Sequence, residues 1–277
     1  MRGEAIPAGR YRRPVPRLAS RVRAAASQRR PTVARIIDAT IRRLFAARAR
    51  LAPDAVATAL GGSGYGSLWR PRDEAEARRL IFNDADPDAF ERSGREDAVR
   101  LAPLIRPADI VLDLGCGIGR VVRYVAPMCA SVWAVDASEV MLGYARSRLA
   151  GLPNVRFAAS AGTSVPEVPD DSVDVVYSLI TLQHLEREDA FAMLRDLRRM
   201  LRPEGRAYIT FPNLLSDTYL DCFLAHVDRG EVRNPARARL YTPQEVERIL
   251  PAAGFALREL QVGTEIVAIC GTYSEVR

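Results

Sequence analysis

The 277 residues are 48% hydrophobic, 27% charged and 7% aromatic, which is enough apolar content for a globular core. The net charge of +6 is carried wholly by Arg, with no Lys: residues 1–50 hold fourteen Arg against Glu4 and Asp38, while the rest of the chain is net acidic. No long apolar run predicts a membrane span, and the basic N-terminus has no apolar export segment behind it. Cys116, Cys129, Cys222 and Cys270 are scattered, which argues against a metal ribbon or a disulfide scaffold and for a reducing cytoplasm.

In chain order, residues 1–31 are rich in Arg, Pro and Ala and read as a disordered or loosely docked tail. From Thr32, the residues Val33, Ile36, Ile37, Ile41, Leu44 and Phe45 recur at helical spacing, with Arg35, Arg42, Arg43 and Arg48 largely on other faces. The pattern predicts a basic amphipathic helix of about five turns whose apolar stripe packs on the body. For the Arg-rich arm 1–50, a peripheral membrane or protein contact is the rival reading. Residues 32–92 read as a helical N-terminal extension, interrupted by the glycine-rich stretch 61–66 and by Pro71.

Beyond this point the rhythm changes. Short apolar runs at 110–114, 132–135, 155–158, 173–178, 207–211, 257–262 and 266–270 alternate with helical patterns at 95–105, 118–127, 138–149, 187–202 and 243–253. Such alternation predicts an α/β fold, a doubly wound, Rossmann-like and mostly parallel seven-stranded sheet covered on both faces. Only Gly263, Thr264 and Glu265 part the last two runs, so these form an antiparallel hairpin that reverses the chain at the sheet edge. Residues 93–277 thus read as one domain, with 212–240 as an inserted lid.

The densest signal is Asp113-Leu114-Gly115-Cys116-Gly117-Ile118-Gly119-Arg120, a buried run entering a glycine turn. A dinucleotide fingerprint would place its third glycine where Arg120 stands. The acid two residues before the first glycine suits a cationic ligand better than a pyrophosphate. Asp136 closes the next strand, where a carboxylate can take both hydroxyls of a ribose. Together these features describe a ligand with an amino-acid end and an unphosphorylated nucleoside end.

The segment resembles motif I of the class I methyltransferases that use S-adenosylmethionine (SAM), and Ala134-Val135-Asp136-Ala137-Ser138 resembles their second motif. Asp174 to Leu179, Leu197 to Arg206 and Tyr241 to Phe255 resemble later segments in order, in the small-molecule and glycan branch typified by methyltransferase-11/25 domains. The resemblance implies SAM as cofactor, with Gly115, Cys116 and Gly117 along its methionine part and Asp113 on its amino group. It implies Asp136 on the ribose, Ala137 and Met141 over the adenine, and Arg95 or Arg120 near the carboxylate. After the third strand the family often carries an acid for the adenine; here Ser160, Ala161 and Gly162 stand instead. Ser178 completes the expected cofactor set.

Acceptor groups are expected past the fourth and fifth strands. Leu179 to Leu185 lacks the N/D-P-P-Y/F motif, which argues against a DNA-adenine or protein-glutamine acceptor. His184 is the candidate general base, with a packing or capping role as the alternative. Thr181, Tyr219, His226 and Tyr241 are the candidate substrate contacts. No metal is expected, Asp217 and Asp221 being read as solvated. The expected acceptor is a small molecule, sugar or natural-product precursor methylated on O or N; the acidic body argues against nucleic acid. A non-catalytic SAM-binding regulatory or partner module and a lipid-linked or nucleic-acid substrate are the alternatives, and a homodimer contact is the rival role for the lid.

Overall fold

The computed structural model describes residues 64–82, 86–230 and 237–273. The tail 1–31 and the amphipathic helix expected from Thr32 lie outside the described residues. A 3-10 turn at Tyr65–Leu68 leads to α1 (Glu74–Phe82) and α2 (Pro87–Leu101), the latter started by Asp86, whose side chain accepts from the Asp88 amide. There follow β1 (Ile110–Leu114), α3 (Val122–Val125), β2 (Ser131–Asp136), α4 (Glu139–Arg148), β3 (Val155–Ala159), β4 (Val173–Ser178) and α5 (Arg187–Met200). The chain ends with β5 (Leu201–Pro212), α6 (Asp217–Asp228), α7 (Pro243–Ala252), β6 (Phe255–Val262) and β7 (Glu265–Thr272).

The seven strands form one sheet in the order β3-β2-β1-β4-β5-β7-β6. Strands β1 to β5 pair in parallel, whereas β7 runs antiparallel to both β5 and β6. The expected hairpin forms, but its second strand turns back inside: β7 sits between β5 and β6, one place in from the edge. The residues explain this order. β7 buries Ile266, Ala268 and Cys270, while β6 carries the solvent-facing Arg258, Glu259 and Gln261 that suit an edge. The chain winds outward from β1 to β3, then returns to β4 on the other side. The carboxyl ends of β1 and β4 therefore diverge, and the crevice between them is the natural ligand site of such a sheet.

Strand alternation sends Leu112 and Leu114 to one face, where Met193, Leu194, Leu197 and Met200 of α5 and Val246 and Leu250 of α7 cover them. Val111, Val175 and Tyr177 face the other way, against Ala98 and Leu101 of α2 and Leu142 and Ala145 of α4. Each fully buried Leu or Val stabilises by about 1.5–3 kcal/mol relative to exposure. That hydrophobic surround makes Asp113, on the Val111 face, an expensive residue to place there without a purpose.

The helix expected over 118–127 is the main departure. Gly117 and Gly119 take φ +55° and +81°, outside helical space, so α3 is a single turn before a 3-10 turn at Ala126–Met128. The region read as a lid contains α6, started by Ser216, whose hydroxyl accepts from the Tyr219 amide.

Candidate cofactor cleft and acceptor site

β1 delivers Asp113 to the floor of the crevice, 4% exposed, and the chain then turns sharply. Gly115 has φ +82°, and any Cβ there would collide with the Thr181 side chain, which is anchored by its hydroxyl to the Leu114 carbonyl at 3.0 Å. The amides of Gly115 and Cys116 both donate to the Val135 carbonyl (2.7 and 2.9 Å), and the Gly117 amide donates to Asp136 Oδ2 at 2.9 Å. Three successive N–H groups are thus used inside the protein. With α3 only four residues long, this turn offers no phosphate cradle.

Asp136 is oriented by the same bonds. Its Oδ1 accepts from the Ser138 amide at 2.8 Å while Oδ2 holds Gly117, so the carboxylate plane is fixed at the tip of β2 with lone pairs to spare. Burial raises its pKa and those backbone donors pull it back. At Asp113 burial pushes the carboxyl up to about 8, opposed by the Tyr177 hydroxyl and Arg120 and reinforced by Asp136 and Asp97. Arg120 does not neutralise it, because its guanidinium pairs with Asp97 at 2.7 Å and bonds Ser93 Oγ at 3.1 Å. Tyr177 Oη is buried beside Asp113 and faces its carboxyl. A buried carboxyl held near neutrality, with its arginine neighbour paired elsewhere, is the environment that an ammonium group would complete.

The roof comes from the N-terminal segment. Tyr65, Trp69, Leu80 and Ile81 line the cleft together with Asp113, Asp136 and Met141. Tyr65 lies on Gly162, where a Cβ would come within 2.5 Å of the ring, and its hydroxyl donates to Asp189 while accepting from the Glu186 amide at 3.1 Å. Trp69 meets His184 edge to face at 5.0 Å, and Ser138 Oγ donates to the Trp69 carbonyl. About 1240 Å³ of non-protein space lies within this lining, open solvent at the mouth included.

Of the residues singled out in the sequence, Asp113, Gly115, Cys116, Asp136, Ala137, Met141, Ser160, Gly162, Thr181, His184 and Tyr219 line this one cleft. Gly117 stands behind it, bonded to Asp136 and packed on Ile81. Ala161 points to solvent in the loop after β3, and Ser178 lies beneath the floor with its hydroxyl on the Leu114 carbonyl. His226 is turned into α6, with Nδ1 2.9 Å from the Cys222 carbonyl. Tyr241 packs edge to face on Phe211 in the core under α7. Arg95 is exposed and lies over the Tyr124 ring, away from the cleft, whereas Arg120 lines it.

Sequence reading did not single out Tyr65, Trp69, Leu80 and Ile81, because nothing local ties them to a glycine turn fifty residues onward. It also passed over Ile180, a β-branched residue at φ +56° whose amide donates to Thr210 Oγ1 at 3.0 Å. Such strain is characteristic of a constrained site at a strand end. Among the described residues no cluster of His, Cys, Asp or Glu is arranged to hold a metal, and no helix is long and apolar enough to cross a membrane.

Topology, glycine turn and paired acids are those of the class I SAM-dependent methyltransferases, and the similarity centres on the methyltransferase domain at residues 111–205. Those residues match the family model described as a methyltransferase domain. The chain is 29% identical over 153 residues to the uncharacterized methyltransferase YcgJ of Bacillus subtilis, covering 54% of this chain and 58% of that one. It is 31% identical to the ubiquinone biosynthesis O-methyltransferase of Sinorhizobium fredii, over 54% of this chain and 60% of that one. The fold is shared with the 1,6-didemethyltoxoflavin-N1-methyltransferase of Burkholderia thailandensis, solved with its substrate and S-adenosylhomocysteine (TM-score 0.55, 23% identity, 81% and 92% of the two chains). The chain spans at most about 60% of the length of the curated relatives named here.

Proposed function

We propose that this chain transfers a methyl group from SAM to an oxygen or nitrogen atom of a small molecule, sugar or natural-product precursor. The observation that carries this reading is the pair Asp113 and Asp136 flanking a turn whose Gly115, Cys116 and Gly117 amides bond within the protein. One carboxyl awaits an ammonium and the other a ribose, and nothing in the turn awaits a phosphate. The similar proteins are named for O- and N1-methylation, which supports an oxygen or nitrogen acceptor.

When bound, SAM supplies a methyl group on a positively charged sulfur, and the protein's task is alignment and exclusion of water. Asp113 holds the amino group, Asp136 the ribose hydroxyls, and Ala137, Met141 and Gly162 flank the adenine. Tyr65 and Trp69 close the roof. Thr181, His184 and Tyr219 form the wall left for the acceptor. Residues 64–82 act as part of the catalytic domain in this reading, and the lid role belongs to α6.

Calorimetry with S-adenosylhomocysteine (SAH) and with NAD tests the ligand. Micromolar SAH binding without NAD binding is the expected result, and NAD binding in its place would overturn the reading. An acceptor screen with labelled SAM, resolved by product mass, then names the acceptor.

A further inference from the structure

One half-buried carboxyl has no part in the cofactor geometry. Glu265 opens β7 opposite Pro212, the last residue of β5. Because β7 runs antiparallel, its first residue arrives at the same end of the sheet as the tips of β1 and β4, where the cleft opens. Among the described residues the Glu265 carboxylate has one hydrogen bond, donated by Tyr219 Oη to Oε1 at 3.4 Å, and no ion pair. Tyr219 itself is 2% exposed and lines the cleft.

The neighbours explain why this acid is short of counter-charge. The groups facing it are Asp97 and Arg100 on α2, Arg120 after β1, Tyr208 on β5 and Tyr219 on α6. Both arginines are already paired with Asp97, at 3.1 Å for Arg100 and 2.7 Å for Arg120. Burial therefore dominates and pushes the Glu265 carboxyl up to about 7, where it can both take and release a proton at neutral pH.

Resting on the methyltransferase reading above, we propose that Tyr219 and Glu265 form the proton exit of the acceptor site, and that the acceptor is methylated on a hydroxyl oxygen. The acceptor oxygen forms its bond to the methyl carbon while the carbon–sulfur bond breaks, its electron pair remaining on sulfur. The hydroxyl proton passes to Tyr219 Oη as the proton of Tyr219 passes to Glu265. The products are a methyl ether, a neutral thioether, an intact tyrosine and a protonated glutamic acid. Tyr219 touches the acceptor and is the catalytic residue; Glu265 acts through it. An amine can shed its proton to water after transfer, whereas a hydroxyl must lose it as the bond forms, which is where a carboxylate so poised contributes.

Two measurements on the full chain test this. Carbon-13 NMR of labelled glutamate carboxyls in the SAH-bound protein should show one group titrating near neutrality that disappears in Glu265→Gln; titration of every glutamate in the ordinary range would overturn the proposal. With the acceptor found in the screen, the wild-type rate should rise with pH through neutrality. Glu265→Gln should lose about 100-fold and the pH limb together, Glu265→Asp should restore the limb, and Tyr219→Phe should lose rate with SAH affinity unchanged. A retained rate and limb in Glu265→Gln, or a methyl found on nitrogen, would overturn this inference and leave the methyltransferase reading intact. Failure of the wild type to bind SAH would overturn both.

Discussion

The two ends of the cleft are built in different ways. The cofactor end comes largely from one continuous stretch, Asp113 to Met141, fixed by backbone bonds of the turn to β2 and by the Ser138 cap of α4. The proposed acceptor end is assembled from Trp69, the turn from Thr181 to His184, Tyr219 and Glu265, four segments that meet through side chains. A site made of one segment tolerates little change, because turn, strand tip and ligand contact share the same residues. A site made of several can be altered one contact at a time, which suits the part of an enzyme that selects its acceptor.

The strongest test of that contrast is at the strand tip. Asp136→Ala removes a charged acceptor for two ribose hydroxyls, and hydrogen bonds to charged groups are each worth about 1.5–3 kcal/mol. SAH affinity should fall more than about 100-fold by calorimetry. Because Asp136 also holds Gly117 and Ser138, the melting temperature should fall as well. Asp113→Asn should weaken SAH about tenfold or more, with the opposite effect on stability. The folded pKa of Asp113 is about 8, far above a free carboxyl near 3.9, so its stabilising contribution is complete below about pH 4 and is lost as the pH rises through 8. The Asn variant should therefore melt above wild type at pH 8 and level with it at pH 4. For the same reason wild-type SAH affinity should decline as the pH falls below 8, and Asp113→Asn should flatten that slope. Equal slopes would show that Asp113 does not hold the ammonium.

The single-segment end is also the end that could be read in the sequence. Asp113, the glycines and Asp136 stand close in the chain and keep a spacing dictated by one strand–turn–strand unit. The seven strands were legible for a related reason: buried parallel strands are uninterrupted apolar runs, and Gly263-Thr264 leaves room only for a hairpin. The placement of β7 inside β6 was not legible, because it depends on which strand can bear an exposed edge. The helix after the turn was overextended because apolar spacing continues through Gly117 and Gly119, whose positive φ angles break it. Tyr65, Trp69 and Glu265 were beyond reach for a tertiary reason. Glu265 became informative only once the antiparallel return of β7 brought it beside Tyr219.

The roof offers a milder test. Tyr65→Ala removes the ring on Gly162 and the hydroxyl that bridges Asp189 and the Glu186 amide, at the half-buried margin of the core. The SAH off-rate in stopped flow should rise severalfold, since contacts that close a site act mainly on dissociation. The melting temperature should move little. A large loss of stability with an unchanged off-rate would make the segment a structural brace.

The smallest expected effect lies at His184, and it separates the two ends most cleanly. The ring is 7% exposed, edge-on to Trp69, with Nε2 3.2 Å from Gln183 Nε2. The contact ties the ring to the Gln183 amide, and which group donates follows from the histidine tautomer and the orientation of the amide. The role that fits is support of Trp69 in the roof. His184→Ala should raise the KM for the acceptor and the SAH off-rate by only a few-fold, while the rise of rate with pH survives. If instead His184→Ala erased that limb and Glu265→Gln kept it, the proton would leave through the histidine, and the acceptor end would be organised around the turn after β4 rather than the meeting of α6 with β7.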